Sequence, residues 1–288
     1  MNILVLGSKG QLGSEIKMIS SKYENFNFVF KDLPDLNICD INSLKDVIFK
    51  NKINVIINCA AYTDVDNCEK EMELAMNVNS GGVKNLVSLI ESVGGKLIHI
   101  STDYVFDGEK KTPYMETDFT SPLGFYGKSK LEGEKWIVNS NIDAIIIRTS
   151  WLYSSYGKNF VKTILKLGRE KTNINVVSDQ FGTPTYARDL AKSCLDILSK
   201  NAHLSKFGKI YHYSNEGDTN WADFARAIIK NSKIETEISY IKTKDYKTLT
   251  PRPKYSVLSK EKIKQNFKII VPKWENSLKD CIKLLENE

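Results

Sequence analysis

Cysteine is sparse in this chain. Its five cysteines (Cys39, Cys59, Cys68, Cys194 and Cys281) are odd in number, scattered, and form no Cys-x-x-Cys pair. That rules out a disulfide scaffold and predicts reduced thiols in a cytoplasmic protein. Histidine is scarcer still: His99, His203 and His212 fall at spacings that suit no metal, so no metal is expected. No apolar run is long enough to span a bilayer. A strand-like run opening at Asn2 leads us to expect no signal peptide and no membrane partner. Repeats, low-complexity tracts and long linkers are missing as well. What is present is ordinary for a globular protein: 288 residues, 41% hydrophobic and 26% charged, enough for one large or two closely joined domains. The net charge of +6 gathers toward the C-terminal end, at Lys242, Lys244, Lys247, Lys254, Lys260, Lys262, Lys264 and Lys268. No nucleic-acid-binding motif accompanies it, so nucleic acid is not an expected partner. It reads as a solvated surface, or alternatively as a field that attracts anionic substrates.

Apolar runs at Ile3–Leu6, Phe28–Phe30, Val55–Asn58, Leu97–Ile100 and Ala144–Ile147 alternate with helix-like segments at 43–50, 71–77, 80–92 and 122–139. Such alternation predicts an α/β fold, a Rossmann-type doubly wound parallel sheet with helices on both faces. The first strand leads into Gly7-Ser8-Lys9-Gly10-Gln11-Leu12-Gly13, with a glycine at every third position. A strand, a glycine turn and a helix start turn backbone N–H groups and a helix dipole toward a pyrophosphate. Asp32 lies near the distance expected of an acid that binds ribose hydroxyls, whereas its neighbour Lys31 suits a 2′-phosphate, so the pair leaves NADH and NADPH both open. Asp40 and Ile41 come at an expected strand end and could flank the adenine.

Tyr126 and Lys130 are four residues apart, which puts them on one face of a helix started by Ser121 and Pro122. A nearby ammonium lowers the pKa of a phenol, making such a pair a general acid for reducing a ketone. Thr102 ends an apolar strand and can hydrogen-bond the same oxygen. Gly7, Ala60, Thr102 and Thr149 all follow on strands, which predicts one shared edge. Residues 1–150 read as the dinucleotide-binding domain. Residues 151–288 read mainly as a smaller, partly interleaved substrate-binding domain with helices at 159–169, 187–198, 221–230 and 274–285, the third capped by Asp218 and Thr219.

These segments resemble the extended short-chain dehydrogenase/reductases, and within them the dTDP-4-dehydrorhamnose reductase family, over nearly the whole chain. The strings that carry the resemblance include Ser101-Thr102-Asp103-Tyr104-Val105-Phe106-Asp107-Gly108, Arg148-Thr149-Ser150-Trp151 and Asp179-Gln180-Phe181-Gly182-Thr183-Pro184-Thr185. It implies reduction of the C4 ketone of a nucleotide sugar by NADPH or NADH. It further implies that Gly7, Gly10, Gln11, Leu12 and Gly13 meet the pyrophosphate, that Asp40 and Ile41 border the adenine, and that Ala60, Ala61 and Tyr62 line the cofactor. Asn79 would buttress the active-site helix or cap an ordinary one. Thr102 and Asp103 would sit near the carbonyl; Thr63, Val65, Trp151 and Asn159 would surround the sugar; Gln180, Gly182, Thr183 and Arg252 would hold the diphosphate end. Some relatives dimerise through glutamates that bind magnesium. Here Glu15 is present but Arg188 replaces the second, which argues against that metal and leaves monomer and homodimer open. A dehydratase would need Asp-Glu after the threonine, where this chain has Asp103-Tyr104; an epimerase or a non-catalytic cofactor-binding subunit are the other rivals.

Overall fold

The computed structural model describes residues 1–200 and 203–286. Strand β1 (Asn2–Leu6) runs into the glycine turn and helix α1 (Gln11–Ile19), followed by β2 (Asn27–Lys31), α2 (Ile41–Lys50) and β3 (Val55–Asn58). A π-helical turn at Asn77–Gly82 joins α3 (Met72–Met76) to α4 (Val83–Ser92). Then come β4 (Lys96–Thr102), α5 (Phe125–Val138) and β5 (Asp143–Thr149). The second half begins with β6 (Leu152–Tyr153), α6 (Phe160–Glu170), β7 (Asn173–Val177), β8 (Phe181–Gly182) and β9 (Thr185–Tyr186). It continues through α7 (Ala187–Lys200), β10 (Ile210–His212), β11 (Thr219–Asn220), α8 (Trp221–Ser232), β12 (Glu237–Ile241), α9 (Glu261–Phe267) and α10 (Trp274–Glu286).

One parallel sheet of six strands, ordered β10-β5-β4-β3-β1-β2, forms the centre. Alternate side chains of each strand enter opposite cores. Ile3 and Val5 pack with α1 and α7, whereas Leu4 and Leu6 pack with the residues of α2 and α4. Both faces are therefore dry, which is why these strands read as unbroken apolar runs. The second half feeds back into this sheet. β10 forms its outer strand, and α7 buries Leu190, Cys194 and Leu198 against the same core as β1. A separate cluster under α6, α8 and α10, with Phe224 and Leu278 at no exposure, holds the remainder.

One helix start and one helix cap differ from the expectation. The helix carrying Tyr126 begins at Phe125 rather than at Pro122, because Ser121 N–H bonds back to Val105 O and the Phe125 N–H is taken by Glu69 Oε1 at 2.7 Å. The carboxylate of a distant segment does the capping that Ser121 was expected to do. Likewise Asn220, not Asp218 or Thr219, caps α8 through Asp223 N–H, since Thr219 and Asn220 pair with β8.

Candidate active site

A cleft of about 740 Å³ opens along the carboxyl ends of β1, β3, β4 and β5. Parallel register makes this happen: Leu6 lies beside Asn58, and Thr102 beside Thr149, so the chain leaves all four strands at one edge. Strand order reverses between β1 and β3, the place where such sheets bind ligands. Gly7 has φ +71°, and a Cβ there would lie 2.7 Å from Ala60 N. Only glycine lets the turn after β1 approach the segment after β3 this closely. Gly13 backs onto the same turn, where a Cβ would stand 2.3 Å from Gly7 O, which seats the N-terminus of α1 against the cleft. Gly7, Gly10, Gln11 and Leu12 line this end together with Lys9 and Asp32. A backbone cradle at a helix start whose N-cap is Gly10, with no side chain over the first N–H groups from that position, fits a pyrophosphate.

At the other end Thr102, Asp103, Tyr126 and Lys130 converge. Thr102 Oγ1 donates to Asp103 Oδ1 at 3.0 Å and accepts from Tyr104 N–H at 3.2 Å. Burial pushes the Tyr126 phenol well above its ordinary value, and the Thr102 hydroxyl beside it pulls the other way. The expectation that Lys130 depresses Tyr126 is not met here. The Lys130 ammonium, itself lowered to about 8 by burial, donates to Ile100 O at 2.7 Å instead, and no hydrogen bond joins it to Tyr126. The phenol is thus held as a proton donor, with Thr102 as its partner.

Asp103 is 2% exposed, its Oδ2 has no partner, and burial raises its carboxyl to about 6. A folded value above the ordinary 3.8 means that ionisation costs the folded state. The associated stability is present below pH 4 and lost as pH rises through 6. Asp103→Asn removes that loss. It should therefore be more stable than wild type at pH 8, by up to about 3 kcal/mol, with the advantage gone at pH 4. Urea unfolding at the two pH values checks this, and an equal difference at both would contradict it.

Of the other residues singled out in the sequence, Ala60, Ala61, Thr63, Val65, Trp151 and Asn159 line the cleft. Lys31, Asp40, Ile41, Tyr62, Gln180, Thr183 and Arg252 do not, nor do Gly13, Asn79 and Gly182 behind it. Asp40 caps α2 by accepting from Asn42 and Ser43 N–H, leaving Ile41 exposed as that helix's first residue. The Tyr62 phenol binds Glu71. Asn79 grips Tyr62 N–H and donates to Ser129 Oγ at 2.9 Å, so it braces α5 through its amide. Gln180 binds Thr243, and Thr183 binds Gly217 O. Gly182 leaves room for an indole: a Cβ there would meet Trp151 Cε2 at 2.5 Å, and the Trp151 ring lies 3.5 Å from that of Trp221 in a parallel stack. Arg252 pairs with Asp66 at 2.9 Å, while its second terminal nitrogen is buried without a partner.

Sequence reasoning missed Lys9, Tyr104 and Ser150 on the cleft wall. Lys9 sat inside the glycine motif and was open to detection. Its backbone N–H bonds Asp32 Oδ2 at 2.7 Å, and its ammonium crosses to Leu33 O at 2.8 Å. Glu15, fully buried, accepts from Arg188 Nε at 2.7 Å and Ser154 Oγ at 2.6 Å. Among the described residues no group of three or more His, Cys, Asp or Glu is placed to hold a metal, and no helix is long and apolar enough to cross a membrane.

Comparison with known proteins shows the family. The sequence model of the family described as RmlD substrate binding domain matches residues 1–287. The chain belongs to that family. It is 39% identical to a dTDP-4-dehydrorhamnose reductase of Aggregatibacter actinomycetemcomitans over 96% of this chain and 97% of the other. It is 41% identical to the spore coat polysaccharide biosynthesis protein SpsK of Bacillus subtilis over 91% and 90%. Among solved structures, a dTDP-4-dehydrorhamnose reductase of Clostridium acetobutylicum superposes with a TM-score of 0.93 at 40% identity, covering 99% of this chain and 100% of the other. One of Bacillus anthracis, solved in complex with NADP, gives 0.92 at 34% identity, covering 98% and 99%.

Proposed function

We propose that this chain is a dTDP-4-dehydrorhamnose reductase, converting the C4 ketone of dTDP-4-dehydro-β-L-rhamnose to the alcohol in the synthesis of a deoxysugar donor for cell-surface polysaccharide. The observation that carries the reading is a single cleft with a glycine cradle at one end and Thr102, Tyr126 and Lys130 at the other. NADPH or NADH, held at the cradle of Gly7, Gly10 and Gln11, would supply the hydride. Thr102 orients the carbonyl oxygen. Tyr126 gives its phenolic proton to that oxygen as charge develops there, and Lys130 supports the resulting phenolate. Trp151 and Asn159 bound the sugar side of the cleft. The unpartnered nitrogen of Arg252 is suited to a diphosphate oxygen. Residues 151–288 supply most of the sugar-nucleotide side, and we place the enzyme in the cytoplasm as a monomer or homodimer. Loss of absorbance at 340 nm on adding the keto-sugar to protein and NADPH tests the reading. Cofactor binding without oxidation would favour a non-catalytic subunit.

Cofactor preference turns on Lys9. It faces the cleft beside Asp32, whereas Lys31 does not line it. Both Asp32 oxygens already accept backbone N–H groups, from Lys9 and from Leu33. The Lys9 ammonium is then the positive group best able to meet a 2′-phosphate. Lys9→Ala should weaken binding of 2′,5′-ADP about tenfold and leave 5′-ADP nearly unchanged, a contrast of about 1.4 kcal/mol expected of one charge-assisted contact. Titration calorimetry with the two nucleotides measures it, and equal losses would remove Lys9 from cofactor selection.

A further inference from the structure

Behind Lys130 lies a buried polar chain that the reaction above leaves unused. Asn58, at the end of β3, accepts Ala60 N–H on its Oδ1 at 3.1 Å. That bond fixes the amide, so Nδ2 is the atom facing His99 Nδ1 at 3.1 Å. An amide nitrogen only donates, so Nδ1 must be the acceptor, and the proton of a neutral imidazole must sit on Nε2. His99 is fully buried, and burial followed by the charge of Lys130 holds it far below its ordinary value, so the ring is neutral. Nε2 lies 3.3 Å from Lys130 Nζ. An N–H aimed at an ammonium is donor against donor, whereas aimed at a neutral amine it is a hydrogen bond.

We propose that His99, oriented by Asn58, is a positioning residue that sets the proton balance of Lys130 by favouring its neutral amine. The pH at which Lys130 gives up its proton, and with it the charge that supports the Tyr126 phenolate, is then set in part by this ring; the His99 proton itself does not move. Burial, the larger influence, also favours the neutral amine, whereas the charged groups that act on Lys130 oppose it. Glu134, one turn on along α5, favours the ammonium, and so does any thiolate at Cys59, but burial keeps that thiol neutral. Tyr126, one turn earlier on α5, is a neutral phenol in this state.

The inference rests on the reductase reading, and two measurements separate them. Nitrogen-15 NMR of the wild-type protein with NADPH bound reports the tautomer directly, with only three histidines to assign. An Nε2-protonated neutral ring at His99 is expected; an Nδ1-protonated ring or an imidazolium would overturn the proposal whatever the activity. In the pH profile of kcat, wild type should lose activity as pH rises through about 8, where Lys130 loses its proton. Asn58→Asp presents an acceptor to Nδ1, turns the ring's lone pair toward Lys130, and should move that limb upward by about one unit; His99→Phe, which removes the donor, should shift it the same way. A lower kcat with the limb in place in both variants means His99 only fills space, and defeats the proposal. Wild type that binds NADPH yet reduces no ketone would defeat the reductase reading, leaving the tautomer to decide this one.

Discussion

Tyr126→Phe should lower kcat for the keto-sugar by about 10²–10⁴-fold, the usual worth of a positioned general acid, with NADPH affinity close to wild type. The substitution removes one oxygen from a residue that is 9% exposed and keeps the ring that packs against Tyr104 in an edge-to-face pair, so the fold has little to lose. The size of the effect follows from the phenol's state. Burial keeps it protonated, and Thr102 is the group that eases its ionisation. No other side chain takes its place: Asp103 is committed to Thr102 by a hydrogen bond, and Lys130 is turned to Ile100 O. Single-turnover measurement with saturating NADPH isolates the chemical step. A variant within threefold of wild type would move the proton donor elsewhere in the cleft, with Asp103 next in line.

The Rossmann half was legible because its signals are local. Buried parallel strands read as apolar runs, and the glycine spacing after β1 announced a turn that the structure brings against Ala60. Tyr126 and Lys130 were found by helical spacing, but their electrostatics were not. Sequence distance suggested that the ammonium faces the phenol, while folding supplies Ile100 O and His99 as its hydrogen-bond partners. Residues carried over from the family divided in a similar way. Those beside strand ends, such as Ala60 and Thr63, reach the cleft, whereas Gln180, Thr183 and Arg252 hang on pairings with Thr243, Gly217 and Asp66 that no spacing reveals. β6, β8, β9 and β11 escaped because two residues carry no periodicity. The capping of α5 by Glu69 escaped because it spans 56 positions.

The largest effect on stability is expected just beneath the catalytic groups. Arg148 on β5 and Glu134 on α5 form an ion pair at 2.6 Å with each side chain 2% exposed, and Ser101 Oγ donates to the same carboxylate at 2.5 Å. The guanidinium also lies 5.1 Å from the centre of the Phe106 ring, while one of its nitrogens has no partner. Such a pair adds little net stability, because two charges had to leave water, but breaking it strands one of them. Glu134→Gln and Arg148→Met should each cost about 3–5 kcal/mol, whereas the double change Glu134→Met with Arg148→Met should fall near wild type or above it. Denaturant unfolding of the three variants gives the cycle, and single losses below about 1 kcal/mol would mean that water already reaches the pair. Glu134→Gln carries a second consequence. Its charge favours the Lys130 ammonium, so its removal should move the alkaline limb of kcat downward, opposite to the change expected at His99. The pair would then do more than join β5 to α5: Glu134 and the imidazole of His99 pull the proton of Lys130 in opposite directions, and the working pH of the site lies where the two balance.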